Sequence, residues 1–435
     1  MKKRRERKWL AVLLLSGLMI LVFSACSVPM KETEAVSRAE ASEQPRETDK
    51  EPEQPAVPRL KLYGSGSSLT ELSYDRDGNV RTRTTRQIAE SDGKTWIETE
   101  TVSFDPKGNI TDYRLEGVPE EQRQEEETVR FEENCLTVSS QDHSTTTEFE
   151  KGRTVSLHIQ SPYQNYLIRY EYEGQEVPVR RVLQIYELDA EQNKHFLTSQ
   201  ILTCRYAYDA AGLPLYSYLT DAEGGIRSDA YTYYLFENRP ETERDGRLLT
   251  AVLGGQSVYC LTYYTGGTAK KNEARSLAKR YDGSGKESWY ERTEIIDFEA
   301  NGDVLSRRVE NDPSAEEETF TVSGRILETP LFSRLYHRGR VIQSHFFYSL
   351  DNDRLMHRET VYEMDQKGLY QTCRISWYLT SVRDPSGEKE SVPEYPDSER
   401  LFVYHYDENG FPLWSYQTDE EGRPVKDSFQ GYLFQ

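Results

Sequence analysis

Sustained helical patterning is almost missing from this sequence. Only Glu120–Glu133 and Glu273–Lys279 read as short helices, and five methionines in 435 residues leave little material for helical cores. Thirty tyrosines favour strand surfaces instead. Excess positive charge is missing too, since 54 Lys and Arg face 74 Asp and Glu for a net charge of −20. The first 25 residues contribute +5, so the remainder carries about −25. That balance excludes nucleic acid and anionic lipid as electrostatic partners and leaves cationic ligands open.

Local signatures of catalysis are missing as well. None of the seven histidines (His143, His158, His195, His337, His345, His357 and His405) sits in H-E-x-x-H, and no serine lies in G-x-S-x-G. Each histidine reads as a surface or strand residue. Cys135, Cys204, Cys260 and Cys373 are widely spaced with no Cys-x-x-Cys, so a zinc cluster is not expected. Four exported cysteines allow three pairings, and free thiols are as good a reading as disulfides. Gly283-Ser284-Gly285-Lys286 is no phosphate loop, because Arg280 and Glu287 stand where glycine and a hydroxyl residue are required. Asp75-Arg76-Asp77-Gly78-Asn79 and Asp351-Asn352-Asp353 lack the rest of a calcium loop and read as turns. No metal, no cofactor and no enzymatic activity is therefore expected. One catalytic alternative stays open, an envelope hydrolase using paired carboxylates, which needs no local motif.

Long apolar runs occur in one place. Six of the first eight residues are basic, an apolar stretch follows from Trp9 to Phe23, and Ser24-Ala25-Cys26 comes next. A basic start, a short apolar core and small residues at a cleavage point mark an export signal. About fifteen apolar residues fall short of the roughly twenty that span a bilayer. Phe23-Ser24-Ala25-Cys26 resembles the lipobox of bacterial lipoproteins, with Phe23 in place of the usual leucine. The resemblance implies cleavage before Cys26, lipid on its thiol, and a membrane as partner through that anchor. Two or three acyl chains hold stably where one does not. Residues 1–25 are thus expected to be a signal peptide and 26–58 a disordered tether. Ser27–Pro58 has five prolines and no aromatic residue, and would extend roughly 30 Å as a coil.

Internal similarity organises what remains. Arg205–Phe236 and Val403–Phe434 align without gaps at an offset of 198, with sixteen of thirty-two positions identical, too many for coincidence. Weaker matches pair Trp96–Gly108 with Tyr290–Gly302 and Tyr186–Asp189 with Tyr362–Asp365, at offsets of 194 and 176. On these offsets the first copy gains eighteen residues near Glu120–Glu133, and the second gains twenty-two near Arg383–Arg400. The expected division is copy one at 59–238, a connection at 239–254, and copy two at 255–435.

Within each copy a smaller unit recurs: an aromatic, an acid, two variable residues, then glycine. It appears at Tyr74-Asp75…Gly78, Phe104-Asp105…Gly108, Tyr170-Glu171…Gly174, Tyr208-Asp209…Gly212, Tyr281-Asp282…Gly285, Phe298-Glu299…Gly302 and Tyr406-Asp407…Gly410. Aspartate at the first position of a type I turn accepts backbone amides ahead of it. Glycine three residues on takes the left-handed conformation that lets the next strand return. The chain therefore reads as all-β, built from tandem antiparallel β-hairpins in two duplicated copies. Tyr206-x-Tyr208-Asp209-x-x-Gly212 and Tyr404-x-Tyr406-Asp407-x-x-Gly410 resemble the YD-repeat (Rhs-type) family of bacterial surface proteins, which implies surface attachment or carbohydrate binding.

After the main turn, Tyr216 and Tyr218, matched by Trp414 and Tyr416, share one strand face. An exposed row of such rings suits glycan stacking, whereas a covered one reads as core and cross-strand pairs. The expected role is a lipid-anchored, cell-surface protein of non-catalytic recognition or structural function, with cell-wall glycan or an envelope protein as partner. An accessory scaffold in an envelope complex is the further alternative. The expected address is the extracytoplasmic face of a membrane.

Overall fold

A computed structural model describes residues 58–434, apart from 123–126, 142, 163, 174–175, 189–193, 210, 238–245, 254–256, 282–286, 313–319, 331, 350–353, 367 and 382–392. Cys26, the signal segment and residues 26–57 of the tether lie outside the described residues, as do Asp351–Asp353 and Gly283–Lys286.

Among the described residues there is no α-helix; a 3-10 turn at Glu120–Gln122 is the one helical element. The strands open with β1 (Arg59–Gly64), β2 (Ser68–Tyr74), β3 (Val80–Ser91), β4 (Lys94–Phe104) and β5 (Ile110–Glu116). Then come β6 (Thr128–Glu132), β7 (Cys135–Ser139), β8 (Ser144–Glu150), β9 (Arg153–Gln160) and β10 (Gln164–Glu171). β11 (Arg180–Leu188), β12 (Lys194–Tyr208), β13 (Pro214–Thr220) and β14 (Ile226–Glu237) finish the first set. The second set begins with β15 (Leu248–Leu253), β16 (Ser257–Tyr263), β17 (Ala269–Tyr281), β18 (Glu287–Phe298) and β19 (Val304–Glu310). β20 (Thr321–Ser323), β21 (Ile326–Glu328), β22 (Phe332–His337), β23 (Arg340–Ser349) and β24 (Arg354–Met364) follow. β25 (Tyr370–Ser381), β26 (Pro393–Tyr406), β27 (Pro412–Thr418) and β28 (Gln430–Phe434) complete it.

Two helical expectations are corrected. Glu273–Lys279 lies inside β17, where pairing with β16 and β18 on both sides overrides its helical composition. Among the described residues of Glu120–Glu133, Glu120–Gln122 form a 3-10 turn and Thr128–Glu132 is strand.

Each set of fourteen strands forms one antiparallel sheet, in the order β5-β4-β3-β2-β1-β14-β13 and on to β6. The second sheet repeats that order with fourteen added to every number. Both sheets curl until their edge strands approach. The Ile110 amide at the start of β5 donates to the Glu133 carbonyl just past β6 at 2.6 Å, and Val304 repeats this on Gly324 at 2.8 Å. The result is two nearly closed, barrel-like sheets.

Register shows how the two sheets correspond. Both first strands carry the same irregularity, Leu60/Leu62 and Leu248/Thr250, opposite Phe236 and Phe434. The second sheet therefore starts at Leu248, inside the stretch read as connection; β15 shares too little sequence with β1 to show it. Tyr362 pairs with Cys373 as Tyr170 pairs with Arg181, so β24 corresponds to β10. Tyr186 lies in β11, which corrects the match of Tyr186 to Tyr362 and removes the large insertions inferred from it. A four-residue likeness had crossed from one hairpin to the next.

The turns work as the acid–glycine spacing requires. At Asp75, Asp105, Asp209, Glu299 and Asp407 the glycine three residues on donates its amide to the acid's carbonyl at 2.9–3.1 Å, with φ between +76° and +90°. Register slips by one residue beside each, for instance at Ser73/Tyr74, as a type I turn with a glycine bulge demands. Asp75 Oδ1 accepts the amides of Asp77 at 3.0 Å and Asn79 at 2.8 Å, so its oxygens serve the turn.

Tyrosine rather than phenylalanine is used because the hydroxyl reaches a backbone carbonyl of the neighbouring strand. Tyr74 donates to Leu60 and Tyr263 to Leu248; Tyr206 donates to Pro178 and Tyr404 to Tyr370. A ring buried among aliphatics thus also satisfies a main-chain acceptor. The interior of each sheet is filled this way, by Leu60, Phe104, Phe149 and Ile168 in the first and Leu248, Phe298, Leu327 and Tyr336 in the second.

Candidate functional site

The four aromatics singled out from sequence lie where the two sheets meet. A third apolar cluster draws Leu69, Ile88, Tyr216 and Tyr231 from the first sheet and Val258, Leu277, Trp414 and Phe429 from the second. The contacts are reciprocal. Arg86 of β3 stacks its guanidinium over Trp414 at 4.9 Å, while Arg275, its counterpart on β17, interacts with Tyr216. His405 also stacks on Trp414, at 3.6 Å. Tyr216 is 1 % exposed, stacks on Tyr231 at 5.2 Å and donates its hydroxyl to Glu291. Trp414 is 3 % exposed. Tyr218 and Tyr416 are half-buried at the rim, with Tyr218 reaching Glu291 at 3.5 Å. An open stacking row is thus not what these residues form, because one copy's rings are covered by the other copy. Sequence showed a second apolar face but not that the cover was internal.

Two buried charge clusters lie inside the sheets. In the first, Arg83 is 2 % exposed, 3.4 Å from Glu100 and 5.7 Å above the Phe149 ring. Burial pushes the Glu100 carboxyl up against the pull of Arg83. In the second, Glu294 meets Arg307 at 2.8 Å and Arg334 at 2.7 Å, with Arg292 at 4.0 Å. Burial would raise this carboxyl, but the guanidinium groups win and hold it at about 2. Glu176 is pushed up to about 7 by burial, although it accepts the Leu60 amide at 3.1 Å. All three carboxylates are engaged by the fold.

Cys135, Cys204, Cys260 and Cys373 are free thiols, and burial raises Cys204 to about 11. Among the described residues no group of three His, Cys, Asp or Glu side chains converges as a metal cage. Strand register does bring two histidines together that sequence left scattered. His345 on β23 sits diagonal to His357 on β24, Nδ1 to Nε2, at 2.9 Å. Twelve residues of separation carry no motif, so only the register could reveal the pair.

No protein-family model matches the sequence, and no curated protein does. Among solved structures, a porin-like protein from Bacteroides uniformis aligns with 80% of this chain and 94% of its own, at 11% identity and a TM-score of 0.20. A likeness that loose decides nothing about fold or function. The class defined by the strands themselves is an all-β protein of two duplicated, nearly closed antiparallel sheets joined through a shared core.

Proposed function

We propose that this is a lipid-anchored envelope protein with a non-catalytic structural or recognition role, held outside the membrane through Cys26 and the segment that follows it. The observation that carries the recognition half is that six of the thirteen exposed large hydrophobic side chains among the described residues lie at the sheet edges. Leu115, Val129 and Phe131 lie on β5 and β6, while Leu305 and Val322, with Phe320 beside them, mark β19 and β20. These are the edge strands of the two sheets. Beyond the single closing hydrogen bond at each seam, Ile110 to Glu133 and Val304 to Gly324, an edge carrying apolar side chains is a template for an extended polypeptide. A protein partner therefore fits better than glycan, whose four stacking rings are used at the seam. The charged outer positions, such as Asp112, Arg114, Arg308 and Glu310, suit a body standing in water.

Photo-crosslinking from positions 131 and 320 of the full-length protein in cell envelopes tests this reading. One discrete protein adduct, lost when Val129 and Val322 become lysine, supports it. Adducts to glycan alone, or none, overturn it. The anchoring half is tested separately: Cys26→Ser should move the protein from the membrane to the soluble fraction, and unchanged fractionation would reject lipidation.

A further inference from the structure

We infer that His345 and His357 form an open two-imidazole site for a late first-row divalent cation, Cu2+, Ni2+ or Zn2+, on the outer face of the second sheet. The inference is independent of the edge-strand reading. Phe346, between His345 and Phe347 in sequence, packs into the sheet interior, so both histidines face outward, half-buried. Their facing nitrogens are 2.9 Å apart. Two imidazole nitrogens bound to one metal at 2.0–2.1 Å with a right angle between the bonds stand about 2.9 Å apart. With ring centroids 5.1 Å apart the two nitrogens point almost straight at one another, so each ring tilts for both lone pairs to converge on the cation, and water completes its coordination.

The surroundings hold the rings in that posture. His357 stacks on Phe347 at 4.7 Å with 17° between planes, and Tyr378 lies beside it at 5.5 Å. On the far side of His345, Glu359 Oε1 is 3.9 Å from Nε2. Glu359 is itself fixed by the Gln343 amide at 2.8 Å and the Tyr378 hydroxyl at 3.4 Å. A carboxylate at Nε2 favours the proton there and turns the Nδ1 lone pair toward His357, the arrangement that orients metal-bound histidines. The other occupant of the gap is a proton, shared as an N–H···N bond, so cation and proton compete. The first sheet supplies an internal control. There His158 pairs with Leu167 and Gln160 with Asn165. His345 pairs with Glu359 and Phe347 with His357. One imidazole is therefore kept in the first sheet, where Asn165 and Leu167 stand in the places of His357 and Glu359.

The test uses the full-length protein in detergent, purified without a histidine tag. Equilibrium dialysis against Cu2+, Ni2+ and Zn2+ should show one site, tightest for Cu2+ and weakening as added acid competes for the ligands. The Cu2+ electron paramagnetic resonance spectrum should carry the hyperfine pattern of two imidazole nitrogens. His357→Asn should weaken binding at least about tenfold and Glu359→Gln by about tenfold, while His158→Asn changes nothing. A wild-type spectrum without two nitrogen ligands overturns the site, whatever the variants do. So does binding unaffected by His357→Asn.

Discussion

Glu100 and Glu294 occupy the same place in the two sheets and are held in opposite ways. Val102, two residues beyond the first, pairs with Tyr113; Ile296, two beyond the second, pairs with Arg307. In the first sheet the cation comes from Arg83 on the neighbouring strand; its counterpart in the second is Asn272. The second sheet supplies charge from elsewhere, Arg307 on β19 and Arg334 on β22, across the curled interior. One guanidinium at 3.4 Å leaves burial dominant, so the Glu100 carboxyl is raised. Two at 2.7–2.8 Å overcome the deeper burial of Glu294, whose side chain is 6 % exposed against 24 % for Glu100, so Glu294 is lowered to about 2. After duplication, the carboxylate's site was kept while its charge partner moved. Against the pull of burial, the number and closeness of donors decide the direction in which each carboxyl is shifted.

The largest test of that difference is removal of each carboxylate. Glu294→Gln leaves Arg307 and Arg334 buried and facing one another, which costs about 3–5 kcal/mol. Glu100→Gln removes a partly exposed carboxylate with a single guanidinium at 3.4 Å and should cost on the order of 1 kcal/mol. Chemical denaturation of both variants checks this, and equal losses would erase the contrast.

Acidity separates the sheets next, with opposite signs. Glu294, lowered to about 2 from 4.5, contributes stability that is present above pH 4.5 and lost as pH falls through 2. Glu176 of the first sheet, raised from 4.5 to about 7, contributes stability present below 4.5 and lost as pH rises through 7. The second change amounts to about 3 kcal/mol at most. Hydrogen exchange at the Leu60 amide, which donates to Glu176, should quicken between pH 5 and 8 beyond its intrinsic rise. Glu176→Gln should abolish that excess; its persistence would place the titration elsewhere.

How much of this was legible beforehand follows from the range of each interaction. The turns depend on residues within four positions, so Asp75 to Gly78 and its relatives could be read directly, as could the pairing of Arg205–Phe236 with Val403–Phe434. Strand β15 could not, because its match to β1 lies in a bulge and its pairing rather than in residue identity. Nor could the burial of Tyr216 and Trp414, since a ring that faces outward from its own sheet looks free until the other sheet is placed against it. His345 and His357 depend on register between two strands, which composition does not fix. The local chemistry was in the sequence; what covers what was not.

The seam offers a smaller contrast. Tyr233 and its counterpart Gly431 sit on the last strand of each sheet, and a Cβ on Gly431 would come within 2.7 Å of the Tyr233 ring and 3.0 Å of Leu235. Where two related strands approach, only one of the matched positions has room for a ring. Gly431→Ala should cost about 1–3 kcal/mol by overpacking. Pairing Gly431→Tyr with Tyr233→Gly should recover part of the loss seen with Gly431→Tyr alone, as a double-mutant cycle on melting temperature would show. No recovery would mean that the two positions do not share the space.

The smallest difference lies in matched turns. Asp105 Oδ1 accepts the amides of Lys107 at 2.8 Å and Asn109 at 2.9 Å, and the Asn109 side chain, the largest influence on its proton affinity, lowers the carboxyl further. Its counterpart Glu299 is one methylene longer, and in that turn Asn301 Oδ1 takes the Asp303 amide at 2.9 Å instead. The backbone is the same, with φ of +89° at Gly108 and +90° at Gly302, so the glycine sets the turn and the acid only reinforces it. Asp105→Ala should therefore lower the melting temperature measurably, and more at neutral pH than below the range where the carboxyl protonates. Glu299→Ala should not, and Glu299→Asp should raise it. If Glu299→Asp has no effect, the aspartate contacts of the first sheet are decoration on a turn that glycine alone maintains.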